Sequence, residues 1–147
     1  MLIKLSLLSL FGIAMGHLEA VVVVYLRKAL GMPDSISNQD SVEKFTKKIL
    51  YIEISREVAT IIMLLVIAWL TGDSLMEKGI YFLWTFAFWD LFYYISLYIL
   101  IKWPPKFTTI DVLFLIPKPW IAPVWLPIGI SSATILVIAA LSLFQVI

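Results

Sequence analysis

The sequence contains no cysteine. Disulfides, thiolate metal centres and cysteine nucleophiles are therefore excluded, and the redox state of the compartment leaves no mark on the chain. Histidine is nearly as scarce. His17 is the single one, which excludes a purely histidine-based metal site and a bis-histidine haem within one chain. Charge is also in short supply. Only 14% of the 147 residues are Asp, Glu, Lys or Arg, and the formal net charge is +1. No strong field draws nucleic acid, which is not an expected partner. The chain has no P-loop, no dinucleotide fingerprint and no Ser-His-Asp set, so those enzyme classes find no support.

What the chain has instead is apolar. It is 62% hydrophobic, with a mean hydropathy of +1.00. A soluble domain of this length could not hide that much apolar surface, so its natural solvent is a bilayer. A spanning helix needs roughly 20 apolar residues. Four segments qualify: 5–26, 50–70, 80–101 and 125–147. The expected fold is all-α, a polytopic membrane protein forming a single transmembrane domain over 1–147. The first segment has a basic start at Lys4 and a small-x-small site at Ala14-Met15-Gly16, as a secretory signal would. Its apolar run continues through "AVVVVYL", so it reads as a span.

The connections differ in character. The first, "RKALGMPDSISNQDSVEKFTKKI", is distinctly polar, with a turn at "GMPDS" and a short surface helix expected in "SVEKFTKK". The second, "TGDSLMEKG", is short, which makes the second and third spans antiparallel neighbours. The third is apolar but broken by Pro104, Pro105, Pro117, Pro119 and Pro123. Its "TIDVLFLI" is too short to span and reads as an interfacial or re-entrant piece before the fourth helix.

Basic residues concentrate on one side. Arg27, Lys28, Lys44, Lys47 and Lys48 flank the first loop, and Lys102, Lys106 and Lys118 lie in the third; the other side has only Lys4 and Lys78. The positive-inside rule places loops 27–49 and 102–124 in the cytoplasm and both termini outside, in a prokaryotic-type inner membrane. Trp103, Trp120 and Trp125 fit an aromatic belt on the loop side.

The few charges inside the spans are the informative residues. Glu53, Glu57 and Thr60 stand at i, i+4 and i+7, one stripe of the second helix, and Arg56 flanks Glu53. Starting that helix after Glu57 would leave too few residues to span. At about 1.5 Å per residue, Glu57 and Glu19 each lie roughly 10 Å deep, and Tyr93 and Tyr94 lie about 11–12 Å deep. Asp90 is one turn deeper, and Glu53 is expected near the interface. Glu19 shares a face with Gly12 and Gly16, a GxxxG pair that permits close helix approach, so it points at a neighbouring helix. His17 is about 200° round the helix from Glu19 and points elsewhere.

A carboxylate at membrane depth costs several kcal/mol unless protonated, paired or metal-bound. Glu19, Glu53, Glu57 and Asp90 face one nearby cation, Arg56. Raised protonation, a metal ion or a partner subunit must close the difference.

The stretches "EAVVVVYLR" (19–27), "REVAT" (56–60), "FWDLFYY" (88–94) and "DVLFLIPKPWIAPV" (111–124) resemble a group of small prokaryotic four-helix integral membrane proteins. That resemblance covers most of the chain and implies one natural unit, but no activity. Glu19, Arg56, Glu57 and Asp90 lie within it.

The expected function is structural. The acids and Arg56 form a network that fixes helix packing in a non-catalytic or accessory subunit of a larger membrane complex, or in a homo-oligomer. The tyrosines and tryptophans of "FLWTFAFWDLFYY" serve as core and lipid-facing packing. The alternative is a carboxylate metal site taking iron or manganese, with Glu19, Glu57, Asp90 and Glu53 as ligands. Arg56, Tyr93, Tyr94 and Asp111 would support it, Asp111 by folding inward. A second alternative is proton or cation transport, because intramembrane acids mark such paths.

Overall fold

The third long helix starts and stops where local chemistry dictates. A computed structural model describes residues 1–31 and 47–144. It contains α1 (Leu2–Ala29), α2 (Lys47–Thr71), α3 (Leu75–Ile101), β1 (Ile110–Phe114), β2 (Trp120–Pro123) and α4 (Trp125–Leu143). Ser74 caps α3: its hydroxyl accepts the Glu77 N–H at 3.1 Å, and the Glu77 carboxylate accepts the Asp73 N–H at 2.9 Å. This reciprocal cap starts the helix ahead of the apolar run at 80. Lys102, at φ 58°, closes it in the left-handed conformation, its N–H returning to the Tyr98 carbonyl. The turn at "GMPDS" and the surface helix in "SVEKFTKK" fall largely on 32–46, outside the described residues.

All four helices are long and apolar enough to cross a membrane. The shortest, α4, has 19 residues, so it runs roughly 28 Å, about the hydrocarbon thickness of a bilayer. The all-helical, four-span expectation therefore holds for the bulk of the chain.

The core forms three layers. Leu5, Leu8, Ala68, Tyr81, Trp84 and Ile138 make the first. Met15, Leu64 and Trp89 make the second. Ala20, Val23, Tyr94, Leu97, Trp103 and Val124 make the third. Residue numbers rise through the layers in α1 and α3 and fall in α2 and α4, so successive helices are antiparallel. α3 is central, and α1, α2 and α4 all pack on it.

The α1–α3 approach depends on two glycines. A Cβ on Gly12 would lie 2.8 Å from both Phe88 Cβ and the Thr85 carbonyl oxygen. One on Gly16 would lie 2.5 Å from the Trp89 carbonyl oxygen and 2.9 Å from the Tyr93 nitrogen. The GxxxG reading is thus correct for this pair of helices. Trp84 adds a polar stitch, donating to the Leu5 carbonyl at 3.0 Å and to Ser9 at 2.9 Å.

The proline-rich connection carries a hairpin in place of the re-entrant piece expected from its apolar run. β1 and β2 form an antiparallel hairpin pairing Ile110 with Pro123, Asp111 with Ala122 and Val112 with Ile121. "TIDVLFLI" is too short for a membrane helix but long enough for a strand, and its branched and aromatic residues suit one. Pro117 and Pro119 fall between the strands, where no ladder donor is needed. The Val124 N–H to Thr109 carbonyl bond, 2.9 Å, runs the hairpin directly into α4.

Trp103 corrects the aromatic-belt expectation. It is fully buried, at 0% exposure, while Trp120 and Trp125 are exposed. The reason is Arg27, whose guanidinium carbon sits 4.7 Å over the Trp103 ring. Tyr94 stacks on the same ring, with centroids 6.3 Å apart.

Candidate functional site

α2 buries one stripe: Glu53, Glu57, Thr60, Leu64 and Ala68. The spacing is helical, and its polar half is the stripe expected from the sequence. Glu53 is as buried as Glu57, at 6% and 8% exposure. Whatever its depth, Glu53 is turned into the bundle, where Arg56 holds it. Arg56 reaches its carboxylate through Nε at 3.0 Å and Nη2 at 2.9 Å.

The same guanidinium crosses to α1. Its Nη1 donates to Glu19 Oε1 at 2.6 Å. Glu19 Oε2 in turn accepts the Trp89 indole N–H of α3 at 2.6 Å. Glu19 thus joins three helices, and the glycine pair below it makes the reach short enough. His17 lies off this face, as expected. It is exposed and its Nδ1 meets the Ser96 hydroxyl at 3.2 Å.

Glu57 has a different partner. Its two oxygens accept the Leu115 N–H at 2.8 Å and the Ile116 N–H at 3.2 Å, just past β1. These backbone donors have left the strand ladder, and the carboxylate satisfies them. Asp111 holds the other end of β1. It is buried, accepting the Tyr94 hydroxyl at 2.8 Å and the Val112 N–H at 2.8 Å. Asp90 accepts the Ser131 hydroxyl of α4 at 2.7 Å.

These groups surround a cavity of about 100 Å³. Glu19, Glu53, Arg56, Glu57, Asp90, Tyr93, Tyr94 and Asp111 all line it, so the structure brings the sequence-derived residues together around one space. Hairpin residues 112–115 and the C-terminal turn of α1 complete the wall. A space of this volume, lined in part by polar groups, has room for several water molecules.

The metal-ligand expectation for Glu19, Glu53, Glu57 and Asp90 is not supported. Among the described residues, no group of three or more His, Asp or Glu side chains is placed to hold a metal ion. The cause is geometric: Glu19 and Glu53 turn to Arg56, Glu57 to the amides past β1, and Asp90 to Ser131. Iron or manganese has no ready-made oxygen cage here.

Several site residues escaped the sequence analysis. Arg27 was assigned to the loop, yet it is 2% exposed and lines the cavity. Its spacing from Glu19 through Val23, i, i+4 and i+8, was the available signal. Trp89 was assigned to packing but is a donor. Ser131 of α4 is buried and donates to Asp90 of α3. The Leu115 and Ile116 amides had no signal, because the hairpin was not foreseen.

No family model, curated protein or solved structure matches the chain. The resemblance to small prokaryotic four-helix membrane proteins therefore stands on the quoted stretches alone.

Proposed function

We propose that the chain is a small integral membrane protein whose buried carboxylate, arginine and tyrosine network is a packing device. In this reading it serves as a non-catalytic or accessory subunit of a larger membrane complex, or as one copy in a homo-oligomer. The observation that carries the reading is that every carboxylate lining the cavity is already engaged. Glu19 and Glu53 take Arg56, Glu57 takes the hairpin amides, Asp90 takes Ser131 and Asp111 takes Tyr94. Each of these bonds joins a carboxylate to a donor that the fold itself supplies, as a packing network requires.

The hairpin lies against the bundle at the loop end, in the interfacial layer. The exposed Lys28, Lys47, Lys48, Lys102, Lys106 and Lys118 stand at that end, which supports a cytoplasmic placement of both loops and an external placement of the termini. The subunit reading is tested by gentle solubilisation from native membranes and mass measurement of the particle. Other polypeptides or further copies in fixed ratio support it; a single chain in its detergent belt refutes it.

The cavity favours a second reading, in which its carboxylates pass a proton or a cation. Proton flux across liposomes containing the purified chain, lost in Glu57→Gln, would support that reading over the first.

A further inference from the structure

A second cavity, of about 390 Å³, lies on the other side of Tyr94. Its volume falls within the range of small-molecule sites. Its walls are Ile95 and Ile99 of α3, Phe107 of the following loop, and Ile128 of α4. It is an open apolar groove at the loop end of the bundle, and among the described residues no acidic side chain lines it. Lys106 stands in its wall. Lys102 adds a second ammonium, 5.2 Å from the ring centroid of Tyr98, which also lines the groove. The charged cavity, by contrast, is rich in carboxylates, and Tyr94 separates the two, its hydroxyl turned to Asp111.

We propose that this groove is a binding site for one anionic glycerophospholipid. An acyl chain would lie along Ile95, Ile99 and Ile128, with the phosphate at Lys102 and Lys106. Charge complementarity selects this occupant. A basic rim without carboxylates attracts a headgroup of net negative charge and gains little from a zwitterionic one. The position of the groove also matches the depth at which headgroup meets chain, since α3 ends and α4 begins beside it. The proposal rests on the chain being a membrane protein, but not on the packing network or on a subunit role.

The test is native mass spectrometry of the full chain, delipidated in detergent and titrated with dioleoylphosphatidylglycerol or dioleoylphosphatidylcholine. The expected result is one phosphatidylglycerol per chain with a preference of about tenfold or more, since two interfacial lysines contribute. Lys102→Asn with Lys106→Gln should abolish the preference; asparagine tolerates the left-handed backbone at 102. Ile99→Trp, at an exposed groove position, should block binding of both lipids without loss of helicity. Equal binding of the two lipids by the wild type would overturn the proposal. So would a preference that survives in the lysine variant, lipid binding unchanged by Ile99→Trp, or a second copy of the chain in place of lipid.

Discussion

Arg56 is the residue on which most of the buried charge depends. It is the cation that contacts both Glu19 and Glu53, and its side chain is 25% exposed. Arg56→Gln leaves two acids without their cation, and removal of one partner from a buried pair costs on the order of 3 kcal/mol. Denaturant unfolding in micelles, followed by far-UV circular dichroism, should show it as the most damaging single change in the network. Glu57→Gln should cost more than Glu53→Gln. The sequence suggests that order from depth, but the structure supplies a different cause, since the two glutamates are equally buried. Glu57 ties α2 to the hairpin with charge-assisted bonds worth roughly 1.5–3 kcal/mol each. Among the described residues, Glu53 bonds only a neighbour on its own helix. Equal stabilities for the two variants would remove the distinction.

At the scale of elements, two joints are decisive. The α1–α3 joint requires glycine at 12 and 16, because the obstructing atoms are mostly α3 backbone. Gly16→Ala should destabilise by about 1–3 kcal/mol, the usual cost of overpacking. Gly129→Ala in α4 is the control. Nothing lies within 4 Å of its Cβ position, so it should be neutral or stabilising by roughly 0.5–1 kcal/mol. The second joint pins the hairpin through Glu57. In Glu57→Gln, hydrogen exchange should quicken at the Leu115 and Ile116 amides and stay unchanged in the middle of α3. The first joint was legible in "GIAMG" followed by Glu19, since both features share one helical face. The second was not. A carboxylate on one helix bonding amides some 58 residues away leaves no periodicity to detect, and a short apolar run reads equally as strand or buried helix.

On the scale of the molecule, four spans, their order and the polar stripe of α2 could be read from hydropathy and spacing, because a bilayer imposes length and a helix imposes period. Which acid meets which donor could not be read. That choice depends on helix rotation and on the hairpin, both set by packing among distant residues. The dispersed carboxylates predict that chelator-free protein, gently solubilised, contains iron and manganese at well below one equivalent per chain by elemental analysis. In the proposed reading, the buried charges hold the helices together. A double-mutant cycle of Glu19→Gln, Arg56→Gln and the pair, read as unfolding free energy in one detergent, tests it most directly. The expected coupling is on the order of 1–3 kcal/mol, with the double variant more stable than the sum of the single losses implies. Single variants within about 0.5 kcal/mol of wild type and no coupling would contradict it.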